Sequence, residues 1–323
     1  MPFIASEEII SSEHLPGYKS AIENFYFEHV QLRQIQSPDG LRLCAALYEP
    51  ENWSRSLLVI PGRGETAHKY AELIFNLRQK NLRIAVCFAR GQGNSQRLLA
   101  DPHRCHIRSF DELSEDIWTM LKALNFQNFG LLGFSLGGLI GLDFIRKCKL
   151  LPHKAAMLVP FLWPAYAVPP VVLYAVVNVL GAIPVIREQY TPYGSDYKRI
   201  PFEENHHSHC RLRYEAYHDY YALHPELNIG SPTWSFVREA LRTQKMLYHT
   251  MAELPVPFYC RCAGVDKVVS TARARLFFST RKGCCCDFGI IDDAWHDILN
   301  ESDCYRTPAL CGALNFLFSS PNA

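Results

Sequence analysis

The chain has 323 residues, of which 48% are hydrophobic and 20% are charged. This balance excludes an intrinsically disordered protein and is sufficient for a sizeable core in one large domain with an insertion, or in two domains. The net charge of +1, from 33 Lys and Arg against 32 Asp and Glu, lacks the basic excess of nucleic-acid-binding proteins, so we expect no nucleic-acid partner.

Short apolar runs alternate with longer amphipathic stretches after a polar lead-in at residues 1–25, for which we predict partial helix. The predicted strands, in chain order, are 29–35, 42–48, 56–60, 82–88, 129–134, 154–159, 257–263 and 284–291. The predicted helices are 67–80, 110–124, 136–148, 270–281 and 303–318. Strands that alternate with helices predict a mostly parallel sheet with helices on both faces. Residues 161–250 interrupt this alternation, which predicts an insertion.

Residues 155–186 form a run of 32 positions without a charged side chain. A membrane span is the simplest interpretation, but five prolines interrupt the run. Its longest proline-free piece, 171–183, would make a helix of about 20 Å, against roughly 30 Å for the hydrocarbon core of a bilayer. A simple membrane span is therefore excluded.

The sequence Gly133-Phe134-Ser135-Leu136-Gly137 matches G-x-S-x-G between a predicted strand and a predicted helix. A serine in such a turn has a strained backbone, and the flanking glycines allow other backbone to approach closely. The turn exposes the serine Oγ at a helix N-terminus, where N–H groups can stabilise an oxyanion. We predict that Ser135 is a nucleophile; a structural glycine-rich turn is the alternative.

A nucleophilic serine needs a base and an acid that orients the base. Asp266 follows the predicted strand 257–263, and His296 lies between the last strand and the last helix. The order Ser, Asp, His is the one typical of this motif. We predict that His296 is the base and Asp266 the acid. Other aspartates compete for the second role but lie less clearly at the C-terminal end of a strand: Asp287, Asp292, Asp293 and Asp297.

The second oxyanion donor is expected in the turn after the third strand, at Pro61-Gly62-Arg63. We predict that the backbone N–H of Arg63 acts together with that of Leu136. The Arg63 side chain is also a candidate for binding a substrate phosphate, with an ordinary surface arginine as the alternative.

Several blocks resemble the lysophospholipase and monoacylglycerol-lipase group of α/β-hydrolases, the serine aminopeptidase S33-like family, over about residues 25–320. They are Pro61-Gly62-Arg63, Lys69-Tyr70-Ala71-Glu72-Leu73, Arg90-Gly91-Gln92-Gly93-Asn94-Ser95, His106 with Phe110, Asp111 and Asp116, Leu227–Thr233 with Trp234, Val237, Arg238 and Glu239, and His296 with Ile298-Leu299. The sequence departs from the group at three positions. Phe88 stands where an acidic residue is usual, and Asp297 stands where Glu is usual. The third is Phe134, which we expect to narrow the acyl site.

The resemblance implies an α/β-hydrolase fold, with an eight-stranded sheet and a helical cap. The cap would be residues 161–250, inserted into a core of residues 26–160 and 251–323. The implied activity is that of a serine esterase on lysophospholipids. Monoacylglycerol lipase, short-chain esterase and aminopeptidase are alternatives within the fold, and a lipid- or protein-binding scaffold without turnover is an alternative outside enzymes.

Other candidate sites are weaker. His206-His207-Ser208-His209-Cys210 has metal-ligand residue types but no second cluster with matching spacing, which favours a polar cap loop. Cys260, Cys262 and the triplet Cys284–Cys286 are expected to be small buried residues on neighbouring strands. Gly91-x-Gly93 is too short for a dinucleotide motif and no phosphate-binding loop is present, so no cofactor and no metal are expected.

The location of the chain is inferred from its thiols and its apolar run. The 12 cysteines would suggest disulfides in a secreted protein, but the N-terminus lacks a signal-peptide pattern. We therefore expect a cytoplasmic protein with mostly free, buried thiols. Residues 171–183 are apolar all round, so we expect them to pack over the site or to enter a lipid interface, in peripheral contact with the inner face of the membrane.

Overall fold

A computed structural model describes residues 2–147, 150–165 and 168–319. The strands are β1 (Val30–Gln36), β2 (Arg42–Tyr48), β3 (Arg55–Ile60), β4 (Leu82–Phe88), β5 (Phe129–Phe134), β6 (Lys154–Leu158), β7 (Glu253–Leu254), β8 (Phe258–Ala263), β9 (Lys282–Gly283) and β10 (Cys286–Ile291). The helices are α1 (Leu15–His29), α2 (Ala71–Leu77), α3 (Asp111–Ala123), α4 (Leu136–Lys147), α5 (Pro170–Leu180), α6 (Arg211–Leu223), α7 (Trp234–Thr250), α8 (Thr271–Ser279) and α9 (Asp303–Phe318).

The main sheet has eight strands in the order β1-β2-β4-β3-β5-β6-β8-β10. Strand β2 runs antiparallel to both of its neighbours, and the pairs from β4 to β10 are parallel. The predicted eight-stranded, mostly parallel sheet is therefore confirmed. The central strands β4 and β5 are buried at every position, because a parallel sheet covered by helices on both faces excludes water from both sides.

Two hydrophobic clusters cover the two faces of the sheet. One contains buried residues of α3, α4, α7 and α8, and the other contains buried residues of α1, α2 and α9. Alternate residues of β3 divide between them: Leu58 and Ile60 belong to the first cluster, and Leu57 and Val59 to the second. This alternation follows from the two-residue repeat of a strand.

Two parts of the secondary structure differ from the prediction. Helix α1 is longer than the partial helix expected in residues 1–25, and it reaches His29, which was expected to begin a strand. Only Ile22 and Tyr26 of α1 are buried, so its sequence carries little helical periodicity. The predicted helix 67–80 starts with a 3₁₀ turn at Ala67–Tyr70 and continues as α2 to Leu77.

The expectation that Cys284–Cys286 are buried is wrong for the first two residues of the triplet. Strand β10 begins only at Cys286, at the edge of the sheet, and Cys284 and Cys285 are exposed. Cys260 and Cys262 are buried on the neighbouring β8, as expected. The 11 cysteines that the structure describes are free; Cys148, at the predicted end of the helix 136–148, lies outside the described residues.

The predicted insertion, residues 161–250, contains α5, α6 and α7; its boundaries as a separate domain stay a prediction. Helix α7 buries Phe236, Ala240 and Leu247 in the core beside α4. Helix α5 buries only Val177, which packs with Leu241 of α7. Among the helices of the described ranges, none combines the length and the apolar character needed to cross a membrane.

Candidate active site

Ser135 lies in the tight turn between β5 and α4, with a φ of +50°. Its carbonyl oxygen accepts a hydrogen bond from the N–H of Phe161, and its own N–H donates to Leu158. A Cβ atom on Gly137 would lie 1.8 Å from the carbonyl oxygen of Ile60. A side chain at this position would collide with backbone, which explains why the turn requires glycine there.

The structure brings the predicted nucleophile, base and acid into one hydrogen-bonded chain. The Ser135 Oγ lies 2.9 Å from His296 Nε2, and His296 Nδ1 lies 2.8 Å from Asp266 Oδ2. The Asp266 side chain is 1% exposed, and its Oδ1 accepts the backbone N–H groups of Val268 and Val269. Because an ionised carboxylate only accepts, Nδ1 of His296 carries the proton and Nε2 is free to accept the Ser135 hydroxyl.

The four competing aspartates lie elsewhere. Asp287 pairs with Arg261 at 2.9 Å, and Asp297 pairs with Lys69 at 2.7 Å. Asp292 and Asp293 are exposed in the turn after β10. Among the described residues, only Asp266 contacts the His296 ring through a carboxylate. The catalytic roles of Ser135, Asp266 and His296 stay predictions that this geometry allows.

The backbone N–H groups in the turn after β3 differ in whether they have a hydrogen-bond acceptor. Those of Gly62 and Gly64 donate to the Glu65 carboxylate and the Gln92 side chain, at 2.6 and 3.0 Å. The N–H groups of Arg63 and of Leu136 have no acceptor in residues 2–147, 150–165 and 168–319. Two unpartnered N–H groups that flank Ser135 are what an oxyanion hole requires.

A cavity of about 450 Å³ opens over Ser135 between the sheet and the predicted insertion. Arg63 and Phe134, both predicted to contact substrate, line it. Phe134 is buried, with its ring 5.7 Å from that of His296. Arg63 is exposed and donates to the carbonyl oxygen of Gly230 at 2.7 Å. Aromatic and histidine side chains of the insertion complete much of the wall: Tyr197, His207, Tyr214, Tyr217, His218 and Tyr221.

A buried charged group in the wall of the cavity has no counterpart in the sequence prediction. Lys69 is 5% exposed in its side chain and donates to the carboxylates of Glu65 and Asp297. Glu65 also accepts the hydroxyl of Tyr70 at 2.6 Å. We call Glu65, Lys69 and Asp297 the buried ion triad. Through the Gly62 N–H, it joins the turn after β3 to the residue that follows His296.

Burial and charge act in opposite directions on the buried ion triad. Burial alone would lower the pKa of the Lys69 ammonium, but the charges of Asp297 and Glu65 outweigh it and the pKa is raised. Burial would raise the pKa of the Asp297 carboxyl, but the charge and the hydrogen bond of Lys69, with His207 and His296 acting in the same direction, together outweigh it and the pKa is lowered. Burial and the Glu65 charge raise the pKa of the Tyr70 hydroxyl well above its usual value. Lys69 and Asp297 therefore stay charged at neutral pH.

The local sequence contained only part of the signal for this triad. Glu65 and Lys69 stand four residues apart, a spacing that suits an ion pair, but Asp297 is 228 residues from Lys69. The structure also gives no support for the metal alternative at residues 206–210: no group of three or more potential ligands in the described part of the chain could hold a metal ion.

Comparison with known proteins extends this picture. The family model described as serine aminopeptidase, S33 matches residues 52–303. Lysophospholipase L2 of Escherichia coli K12 is 27% identical over 278 residues, which cover 83% of this chain and 82% of that protein. The probable lysophospholipase L2 of Haemophilus influenzae is 23% identical over 300 residues, 90% and 93% of the two chains.

Solved structures share the fold at low identity. A monoacylglycerol lipase of Paleococcus ferrophilus has a TM-score of 0.65 at 15% identity, covering 90% of this chain and 99% of its own. A thermostable carboxyl esterase of Bacillus coagulans has a TM-score of 0.69 at 15% identity, covering 89% and 97%. The expected α/β-hydrolase fold is confirmed. Since the family model covers more than two thirds of the sequence, the chain belongs to the serine aminopeptidase S33 family of serine hydrolases.

Proposed function

We propose that this protein is a serine carboxylic-ester hydrolase that releases a fatty acid from lysophospholipids. The observation that carries the proposal is the hydrogen-bonded chain Ser135–His296–Asp266 in the wall of a 450 Å³ cavity. The lysophospholipase name of the two curated relatives supports the substrate class.

The geometry suits acyl transfer to Ser135. His296 takes the Ser135 hydroxyl proton at Nε2 while Oγ attacks the ester carbonyl carbon. The N–H groups of Arg63 and Leu136 stabilise the oxyanion. His296 then protonates the leaving glycerol oxygen, and the C–O bond breaks to leave an acyl-enzyme. A water molecule, deprotonated by His296, hydrolyses the acyl-enzyme and releases the fatty acid, while Asp266 stabilises the charged imidazole throughout.

A fluorophosphonate probe tests the serine mechanism directly. Wild-type protein is expected to be labelled and to hydrolyse lysophosphatidylcholine, and Ser135→Ala is expected to lose both. Ser195→Ala is a matched control, because Ser195 lines the same cavity and its hydroxyl donates to the backbone of Asp196. Full hydrolysis by Ser135→Ala, or no labelling of folded wild-type protein, would refute the proposal; the second result would favour a scaffold without turnover.

Arg63 supports a phosphate-bearing substrate over a neutral one. Arg63 is an exposed residue that lines the cavity and forms no ion pair among the described residues. Its guanidinium donates to the carbonyl oxygen of Gly230 and carries further N–H groups for a phosphate oxygen. Arg63→Met keeps the backbone N–H. We expect it to lower kcat/KM for a lysophospholipid about tenfold or more and to leave a monoacylglycerol unaffected. Arg108→Met, at an exposed position outside the cavity, is the control.

Monoacylglycerol lipase is the second candidate function, suggested by the monoacylglycerol lipase of Paleococcus ferrophilus that shares the fold. Phe134, Ile200, Ile229 and Val268 provide apolar lining for an acyl chain in either case. A panel of lysophospholipids, monoacylglycerols and acetate esters separates the candidates. Equal loss on both lipid classes in Arg63→Met would favour the monoacylglycerol lipase, and a preference for acetate esters would count against a lipid substrate.

We further propose peripheral contact between α5 and the inner face of the membrane, from the cytoplasm. One face of the helix exposes Val172, Val176 and Val179, to 51%, 42% and 62%, at the spacing of a single helical stripe. Free thiols in the described chain fit a reducing compartment. Liposome flotation of wild type against Val172→Asp with Val176→Asp tests the contact, with Leu223→Asp as a control at an exposed site on α6. Flotation that is absent in wild type, or unchanged in the double variant, would contradict it.

A further inference from the structure

The polar segment at residues 205–210 contacts the loop that carries His296 at several points. The Asn205 side chain accepts the N–H groups of His207 and Ser208, at 2.8 and 2.9 Å, which gives the segment a fixed turn. The His207 carbonyl oxygen accepts the N–H of Asp297 at 2.8 Å. The buried Ser208 hydroxyl donates to the carbonyl oxygen of Asn300 at 2.7 Å. We call residues 205–210 the clamp segment.

The second part of this contact runs through the Glu301 carboxylate, whose side chain is 0% exposed. Its Oε1 accepts the N–H of Trp295 at 2.9 Å and Nδ1 of His209 at 2.8 Å. Its Oε2 accepts the N–H groups of His209 and Ser302, at 2.9 and 2.7 Å. Four donors satisfy a carboxylate that burial would otherwise destabilise.

The consequence for His296 follows from its two neighbours in the chain. The N–H of Trp295, on one side, and the N–H of Asp297, on the other, are both held by bonds that lead to the clamp segment. The ring of His209 also packs against that of Trp295, with centroids 3.9 Å apart and ring planes tilted by 36°. The backbone on both sides of the imidazole is therefore tied to residues of the predicted insertion.

We propose that the clamp segment sets the position of the His296 imidazole against Ser135, with Glu301 as the positioning residue that joins the two segments. The inference rests on the proposed function, in which His296 is the general base. It assigns a role to the histidine-rich motif at residues 206–210, which is otherwise unexplained. It also makes the reactivity of Ser135 depend on how the insertion packs on the core. Proton transfer tolerates little misplacement, since a shift of about 1 Å can cost roughly 10²-fold in rate.

The decisive variant is His209→Phe, with His206→Phe as its control. Phenylalanine keeps a ring against Trp295 but removes the donor to Glu301. His206 belongs to the same segment and is exposed, and its ring nitrogen lies 3.4 Å from Lys267 without contacting Glu301. We expect His209→Phe to lower the fluorophosphonate labelling rate and kcat roughly tenfold, with KM within twofold, and we expect wild-type values for His206→Phe.

Two further variants extend the test. Ser208→Ala is expected to resemble His209→Phe, because it removes the bond to Asn300. Glu301→Gln is expected to lower the rate about 10²-fold, because its amide places N–H groups against N–H donors.

Active-site titration separates a positioning role from a merely structural one. A structural role lowers the fraction of labelled protein but leaves the rate of each labelled site unchanged, whereas a positioning role lowers that rate in protein with wild-type circular dichroism. Wild-type rates in both His209→Phe and Ser208→Ala would overturn the inference even if Glu301→Gln fails to fold. If wild-type protein itself is not labelled, the proposed function fails, and the clamp inference fails with it.

Discussion

Replacing Lys69 by methionine is expected to destabilise the fold strongly. The ammonium is 5% exposed and neutralises two buried carboxylates, Glu65 and Asp297, whose side chains are 4% and 14% exposed. Methionine fills a similar volume but leaves both acids without their cation. Removing one partner of a buried ion pair costs about 3–5 kcal/mol, because the remaining charge is left uncompensated. We expect a loss of that size in the free energy of unfolding at pH 8.

The pH dependence of this loss identifies which carboxyl group, Glu65 or Asp297, takes up a proton in the Lys69→Met variant. Glu65 keeps two donors, the Gly62 N–H and the Tyr70 hydroxyl. Asp297 keeps only the Asn300 amide at 3.3 Å, and its Oδ1 is buried without a hydrogen-bond partner in the described chain. Asp297 is therefore expected to take up a proton in the Lys69→Met variant, as a desolvated carboxyl does.

The sign of the pH effect is opposite in the two proteins. In wild type, the folded pKa of Asp297 is lowered, so its stabilising contribution is present above its unfolded pKa of about 3.9 and is lost as pH falls through the folded value. In the variant, the folded pKa is expected to lie above the unfolded one, so stability is lost as pH rises. The difference between wild type and variant should therefore grow from pH 5 to pH 8.

Urea unfolding followed by tryptophan fluorescence at pH 5 and pH 8 measures this difference. Lys122→Met, at an exposed position on α3, is the control and should change stability by less than about 0.5 kcal/mol. Adding Asp297→Asn to Lys69→Met should restore part of the loss at pH 8. A loss below about 1 kcal/mol at pH 8, or an equal loss at both pH values, would refute the reasoning.

Two other substitutions test the active-site turn and the acid. Asp266→Asn is expected to lower kcat by about 10⁴-fold with little change in KM, because the amide no longer selects the required tautomer of His296. Steady-state kinetics with a lysophospholipid measures this loss, and a loss below tenfold would point to another acid. Gly137→Ala is expected to prevent stable folding, since its Cβ would lie 1.8 Å from a carbonyl oxygen. Gly17→Ala in α1 is the control, because nothing lies within 4 Å of the added Cβ, and it should keep or slightly raise the melting temperature. Equal melting temperatures of Gly137→Ala and Gly17→Ala would contradict the steric argument.

Local pattern predicted the sheet well where burial acts on both faces of a strand. The bounds of β4 and β5 agree with the predicted runs 82–88 and 129–134, because strands covered on both sides must be apolar throughout. Prediction was poorer where burial is slight. Helix α1 buries two residues of 15, and the edge position of β10 leaves Cys284 and Cys285 in solvent.

The same distinction applies to the site. Ser135, Asp266 and His296 were predicted together because each follows a strand at one edge of the sheet, and the structure brings the three side chains into contact. The buried ion triad was not predicted, since its two halves come from turns at opposite ends of the chain. Local sequence records which residues follow each strand, but it does not record which charges meet after folding.

The uncharged run 155–186 shows why composition alone did not identify its environment. Residues of β6 are buried between β5 and β8, whereas α5 exposes a valine stripe outside the core. The two are nonetheless linked. Val177 of α5 packs with Leu241 of α7. One turn further along α7, the Gln244 side chain donates to the carbonyl oxygen of Phe161 at 2.9 Å. The backbone N–H of Phe161 in turn donates to the carbonyl oxygen of Ser135 at 2.9 Å. If α5 meets a bilayer as proposed, the surface that collects a lipid and the turn that attacks it are separated by one helix. The contacts from α5 to Ser135 run through α7, while the clamp segment connects the same insertion to His296.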